Sequence, residues 1–233
     1  MIEHGHATHT GLRREHNEDN YWADAQQGLW LVADGMGGHA RGEVASAIAL
    51  DTLVTATRAG VGLPDAFRRA CAAILGHPAQ RGAATPMGST LAALKLAGDR
   101  FEAAWIGDSR IYVWQQGQLA PLVHPQSPEA HAQATDIAAI EARSATPRRR
   151  TTQALGITPA LELHAEPVVG RCAPGLQFLL CSDGLTEELD DARIAVILSR
   201  TDLTAQECVD HLVLAALDAG GRDNITALLV RIG

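Results

Sequence analysis

Four aspartates stand where buried strands are expected to begin or end. Asp34, Asp108 and Asp183 each follow a short apolar run, whereas Asp223 shortly precedes one. If the strand after Asp223 runs antiparallel to the strand before Asp183, these two strand ends meet at one edge of a sheet. The carboxylates would then converge from distant parts of the chain, and Asp19 is a candidate to join them.

Clustered carboxylates predict a particular kind of site. They repel one another, so they do not all stay ionised without cations. A set of oxygen ligands without His or Cys suits Mg²⁺ or Mn²⁺. Glycines beside the aspartates let the backbone approach a metal, which makes the carbonyl of Gly35 a candidate ligand. One Asp-Gly pair at a strand end is ordinary turn chemistry, but four such aspartates together favour a metal centre.

Short apolar runs bounded by Gly, Asp or Asn predict the strands that would position these aspartates. The predicted strands are Trp30–Ala33, Leu91–Leu96, Phe101–Ile106, Ile111–Trp114, Leu161–Val169, Phe178–Cys181 and Ile225–Ile232.

Three helices are predicted beside these strands. One covers Glu43 to Thr57, and a second begins near Pro64. A third begins at a capping box of Thr204 with Glu207 and stops at Gly220-Gly221. The order of elements lacks βαβ alternation, so packed sheets with helices outside fit better than a doubly wound sheet.

The composition excludes several classes of partner. Nineteen basic against twenty-seven acidic residues give a formal charge of −8, which argues against a nucleic-acid or anionic-membrane surface. The four cysteines show no C-x-x-C spacing, so no zinc site or disulfide framework is indicated. No secretory signal is visible, and no apolar stretch approaches the ~18 residues of a membrane span. We therefore expect one cytoplasmic domain over residues 1–233, with no nucleic-acid or membrane partner.

Residues 124–150 stand apart from this pattern. The segment contains three prolines and the run Arg148-Arg149-Arg150, with few large apolar residues. Excursions of this length are often functional flaps. We predict that residues 124–150 form such a flap on the surface.

Seven short motifs occur in order along the chain. They are Gly11–Asp19, Asp34–Gly38, Gly88–Leu91, Gly107–Arg110, Thr152–Gly156, Ser182–Leu185 and Arg222–Thr226. Each is weak alone, but the ordered set resembles the bacterial metal-dependent serine/threonine protein phosphatases of type 2C, the PPM family. The resemblance implies an α+β fold, a four-layer α-β-β-α sandwich of two packed, mainly antiparallel sheets with helices on both outer faces.

The resemblance also implies two or three Mn²⁺ or Mg²⁺ ions. Asp34 matches the residue that bridges two ions, with the Gly35 carbonyl on one of them. Asp183 and Asp223 would complete the second ion. Asp108 resembles the position that holds a third, weaker ion together with Asp183.

Three further residues are implied to act at the metal pair or on the substrate. Asp19 and Glu18 would contact the ions directly or through waters, and Arg14 matches the arginine that grips the substrate phosphate. The implied reaction is hydrolysis of phosphoserine and phosphothreonine in proteins by a bridging water activated by the metals. The catalytic residues would be Arg14, Asp19 and Asp34. Many eukaryotic members of the family carry His where this chain has Met36, whereas bacterial members commonly have Met. The proton donor is therefore open, with His39 or a metal-bound water as candidates.

Two alternatives to this function remain. A small-molecule phosphate-ester hydrolase would use the same chemistry, and a catalytically silent binding module could share the fold. The second is disfavoured because Arg14, Asp34, Asp183 and Asp223 are all present. The expected partners are phosphorylated proteins and a cognate Ser/Thr kinase, with type VI secretion as one setting in which related phosphatases act.

Overall fold

A computed structural model of the chain describes residues 1–37, 41–81, 85–122 and 153–233. The predicted flap, residues 124–150, and His39 lie outside the described residues, so both remain predictions. Among the described helices, none combines the length and the apolar character needed to cross a membrane.

The strands of the described residues form two sheets. They are β1 (Ile2–His9), β2 (Asp19–Asp24), β3 (Leu29–Met36), β4 (Gly88–Ser89), β5 (Leu91–Ala97), β6 (Arg100–Ile106), β7 (Arg110–Gln115), β8 (Gln118–Pro121), β9 (Val168–Arg171), β10 (Gln177–Cys181) and β11 (Ile225–Ile232). The first sheet has the order β1-β11-β10-β7-β8, and the second has the order β2-β3-β5-β6-β9, with β4 paired to β3. These named strands pair antiparallel throughout.

Helices cover the outer face of each sheet. They are α1 (Arg41–Arg58), α2 (Leu63–Gly76), α3 (Asp183–Thr186), α4 (Asp191–Leu198) and α5 (Ala205–Ala219), with short 3-10 helices at Pro78–Gln80 and Ala160–Glu162. The predicted capping box of Thr204 and Glu207 begins α5, and Gly220 ends it with a φ of 150°.

Strand β3 shows how the layers are held together. Its side chains alternate: Trp30 and Val32 pack into the apolar layer between the two sheets, whereas Leu31 packs against α1 and α2. A third apolar layer lies between the first sheet and the helices α4 and α5, with Leu212 among its members. These layers confirm the predicted four-layer sandwich.

One predicted strand is wrong over most of its length. The apolar alternation from Leu161 to Val169 predicts a single strand, but the strand begins only at Val168. The side chain of Gln153 binds the carbonyl of Glu162 and the N–H of His164 at 2.7 and 3.1 Å. These backbone groups are therefore paired with a side chain instead of a neighbouring strand.

Candidate metal centre

Three carboxylates from three separate strand ends converge at one end of the sandwich. Asp34 lies near the end of β3, Asp108 follows β6, and Asp183 begins α3 just after β10. One oxygen atom of each carboxylate lies within 4.8 Å of the others. The predicted convergence is therefore present for Asp34, Asp108 and Asp183.

Burial and mutual repulsion raise the pKa values of these carboxyls. Burial is the largest cause for Asp34, whose pKa lies well above its ordinary value, and repulsion from Asp19 and Asp183 adds to it. Burial also raises the pKa of Asp183 to about 7, with repulsion from Asp108 as the next cause. Because these shifts mean that the ionised forms are destabilised, a cation placed among them would be strongly favoured.

Asp19 lies buried beside Asp34, its partner in the register of β2 and β3. Its Oδ2 atom accepts hydrogen bonds from the hydroxyls of Ser182 and Thr226 at 2.8 and 2.7 Å. Its Oδ1 atom is buried and has no hydrogen-bond partner among the described residues. Burial raises the pKa of Asp19 to about 6, although both hydroxyls oppose that shift.

The junction of β3 and α1 brings backbone close to these carboxylates. A Cβ atom at Gly35 would overlap the carbonyl oxygen of Gly42, so only glycine fits there. The N–H of Gly35 donates to the Glu18 carbonyl at 3.1 Å, and Oε1 of Glu18 accepts from the N–H of Gly42 at 3.1 Å. Glu18 thus ties the start of α1 to β3, which is a structural task that its sequence position did not reveal.

Asp223 lies beside the three-carboxylate cluster and is paired with Arg14. Nη2 of Arg14 donates to Oδ2 of Asp223 at 2.6 Å, and this hydrogen bond is the main cause that raises the pKa of Arg14. Oδ1 of Asp223 accepts from the N–H of Asn224 at 2.8 Å. The Arg14 side chain is 53% exposed, so it stands on the solvent side of the cluster.

These groups fit hard divalent cations. The candidate ligands are carboxylate and carbonyl oxygens, which Mg²⁺ and Mn²⁺ prefer. The buried Oδ1 atom of Asp19 lacks a hydrogen-bond partner among the described residues, and the pKa values of Asp34 and Asp183 are raised. A divalent cation would give Oδ1 of Asp19 a partner and would stabilise the ionised carboxylates of Asp34 and Asp183.

The sequence pattern predicted the carboxylates but not the polar side chains that hydrogen-bond to them and to the neighbouring backbone. Ser182 and Thr226 bind Asp19, as described above. Oδ1 of Asn224 accepts from the N–H of Glu18 at 2.8 Å, and its Nδ2 donates to the carbonyls of Thr10 and His16 in the loop between β1 and β2. The available signal was position, since each of the three lies within three residues of a predicted metal ligand.

The fold and the site together define the class of protein. Two packed antiparallel sheets between helices match the fold of solved bacterial PPM phosphatases. Comparison of the sequence with family models gives the more specific assignment. The model described as Protein phosphatase 2C matches residues 8–217, and the chain belongs to that family.

Curated relatives extend the match over nearly the whole chain. The chain is 32% identical over 229 residues to the serine/threonine protein phosphatase PstP of Mycobacterium tuberculosis, covering 95% of this chain but 43% of PstP. It is also 32% identical over 237 residues to the serine/threonine phosphatase stp of Listeria innocua, covering 96% of this chain and 93% of that protein. The chain therefore spans less than half of PstP but nearly all of stp.

Solved structures show the same fold. PppA, described as a key regulatory component of T6SS in Pseudomonas aeruginosa, has a TM-score of 0.79 and 31% identity, with 99% of this chain and 97% of that chain covered. The catalytic domain of PstP in complex with two manganese ions also has a TM-score of 0.79, with 29% identity and the same coverage.

Proposed function

We propose that this chain hydrolyses phosphoserine and phosphothreonine in proteins with the help of divalent cations. The observation that carries the proposal is the convergence of Asp34, Asp108 and Asp183 from separate strand ends. Membership of the protein phosphatase 2C family and relatives named as serine/threonine phosphatases favour protein substrates over small phosphate esters. Residues 1–233 would act as a single catalytic domain.

The candidate ligands for two or three Mn²⁺ or Mg²⁺ ions follow from this site. Asp34, the Gly35 carbonyl, Asp183 and Asp223 would hold the principal ions, and Asp108 would share a further ion with Asp183. Asp19 and Glu18 would contribute directly or through waters. When bound, the ions supply a water of lowered pKa and neutralise charge on the phosphoryl group.

Arg14 would bind the substrate phosphate from the solvent side. Its planar guanidinium carries five N–H donors, so Nη2 can remain on Asp223 while another edge meets phosphate oxygens. Arg14 thus has two tasks in this proposal: it offsets the charge of Asp223 and it orients the phosphate. Met36, 36% exposed at the end of β3, carries no proton to donate to the leaving group, which leaves that role to His39 or a water.

The wider role is proposed from the relatives. The substrates would be phosphorylated proteins of a bacterial signalling pathway, and the chain would oppose a Ser/Thr kinase in the cytoplasm. Similarity to PppA, which is described as a regulatory component of T6SS, supports type VI secretion as a setting.

Hydrolysis of two substrates tests the proposal. Phosphate release is measured from a phosphothreonine peptide and from p-nitrophenyl phosphate, each with and without Mn²⁺, on the wild-type chain and on Asp34→Asn. We expect Mn²⁺-dependent release from both substrates by the wild-type chain only. Hydrolysis of p-nitrophenyl phosphate but not of the phosphothreonine peptide would favour the small-molecule hydrolase. Mn²⁺ binding without hydrolysis of either substrate would favour the silent binding module.

A further inference from the structure

A hydrogen-bond network of side chains extends from the protein surface to Asp19. Nδ2 of Asn17 donates to Oγ1 of Thr8 at 2.9 Å, and Oγ1 of Thr8 lies 2.7 Å from Oγ1 of Thr226. Oγ1 of Thr226 then reaches Oδ2 of Asp19 at 2.7 Å. Thr8 and Thr226 are opposite each other in the β1–β11 register, so the sheet itself sets their spacing.

The Asn17 amide at one end of this network and the Asp19 carboxylate at the other determine which group donates in each hydrogen bond. Oδ1 of Asn17 accepts from the N–H of Asp19 at 3.2 Å, so the Asn17 group that faces Thr8 is its NH₂ donor. Oγ1 of Thr8 accepts from that donor, and the Thr8 hydroxyl donates its hydrogen bond to Oγ1 of Thr226. Thr226 in turn donates its single hydroxyl proton to the Asp19 carboxylate.

Ser182 donates a second hydrogen bond to the same oxygen, Oδ2 of Asp19. Its hydroxyl donates to Oδ2 of Asp19 at 2.8 Å and accepts from the N–H of Thr226 at 3.0 Å. Ser182 and Thr226 are both fully buried, so neither hydroxyl competes with solvent. Oδ2 of Asp19 therefore accepts two hydrogen bonds from hydroxyl groups, which fixes the rotation of the carboxylate.

The consequence appears at the other oxygen. Because Oδ2 is held, the position of Oδ1 of Asp19 is fixed as well. Oδ1 is buried and has no hydrogen-bond partner among the described residues. Asp19 is paired with Asp34 in the register of β2 and β3, so the two side chains are neighbours. We propose that Thr226 and Ser182 are positioning residues that hold Oδ2 so that Oδ1 of Asp19 stays directed at the divalent cations, directly or through a water. This inference rests on the proposed function and adds residues that touch neither metal nor substrate.

The test measures Mn²⁺ affinity directly, from the electron paramagnetic resonance signal of free Mn²⁺, in the full chain. Thr226→Val keeps the shape of the side chain and removes the hydroxyl, and Ser182→Ala removes the other donor. Since hydrogen bonds to charged groups are the stronger kind, each variant should bind Mn²⁺ about 10- to 150-fold more weakly. The Mn²⁺ concentration for half-maximal hydrolysis of p-nitrophenyl phosphate should rise in step, with KM at saturating Mn²⁺ unchanged.

Two controls separate positioning from packing. Thr226→Ser keeps the hydroxyl and should retain Mn²⁺ affinity close to the wild-type value. If Thr226→Val does not fold, Ser182→Ala carries the test, since it removes the other donor to Oδ2 of Asp19. Thr57→Val makes the same chemical change in α1, where the hydroxyl binds only its own helix, and should leave affinity unchanged.

Either of two results would overturn the inference. One is a folded Ser182→Ala chain with wild-type Mn²⁺ affinity, and the other is Thr226→Ser as weak as Thr226→Val. Failure of the proposed function looks different, because the wild-type chain itself would then release no phosphate from the phosphothreonine peptide, whether or not it binds Mn²⁺.

Discussion

Two effects destabilise the ionised form of Asp34: burial of its carboxylate and repulsion from four neighbouring aspartates. Asp34→Asn keeps the size of the side chain and removes that charge, so the cations lose a central ligand. We expect kcat for p-nitrophenyl phosphate to fall at least ~100-fold, the order found when a central electrostatic element is removed. Circular dichroism and the melting temperature check that the variant is folded. Wild-type kcat in the folded variant would show that Asp34 holds no catalytic ion.

Arg14 is the residue whose two proposed tasks can be told apart. If it binds phosphate, a charged hydrogen bond of ~1.5–3 kcal/mol is lost in Arg14→Ala, and kcat/KM falls about 10- to 150-fold. Mn²⁺ affinity should not decrease, because a positive charge has been removed beside Asp223. Arg13→Ala is the matched control, since Arg13 is an exposed neighbour in the same loop. A fall in Mn²⁺ affinity as the main defect would instead make Arg14 a structural partner of Asp223.

At the scale of elements, the contact between β3 and α1 decides where Asp34 stands. Gly35→Ala would push a Cβ atom into the Gly42 carbonyl and force the strand and helix apart. We expect destabilisation of about 1–3 kcal/mol or more in urea unfolding, together with lower kcat. Gly76→Ala is the control, because a Cβ atom there meets nothing within 4 Å and stands at the end of α2. Equal stability of the two variants would show that the junction tolerates a side chain.

The elements also show what the sequence could predict. Apolar runs and Asp-Gly turns located β3, β6, β10 and β11, and with them Asp34, Asp108 and Asp183, because these strands are buried and their ends are marked. The edge strand β1 was missed, since the segment Ile2–His9 is polar and half exposed. The hydroxyls that bind Asp19 could not be predicted for a different reason. Ser and Thr are common residues, and the hydroxyls of Ser182 and Thr226 reach Asp19 only because β1, β10 and β11 pair in the folded chain.

At the scale of the whole molecule, the buried carboxylates link stability to pH. The folded-state pKa values of Asp19 and Asp183, about 6 and about 7, lie above the ordinary value of 3.8. The folded state therefore binds protons more tightly than the unfolded state, and stability falls as pH rises through these values. In excess chelator, the melting temperature should decline between about pH 4 and about pH 7 through these two groups, and Mn²⁺ should restore it near neutral pH.

A variant isolates this contribution from that of the other acidic groups. Asp183→Asn removes one of the three carboxyls whose pKa values are raised, so its melting temperature in chelator should depend less steeply on pH than that of the wild-type chain. A wild-type melting temperature that rises over this pH range in chelator, with no response to Mn²⁺, would contradict the linkage.

In the proposed function, the converging carboxylates hold the cations on which hydrolysis depends. The most direct measurement titrates Mn²⁺ into dialysed wild-type chain and records bound Mn²⁺ and phosphate release from a phosphothreonine peptide in the same samples. We expect activity to rise as more than one Mn²⁺ binds per chain and to return to background in excess chelator. Full activity in excess chelator after exhaustive dialysis would contradict it.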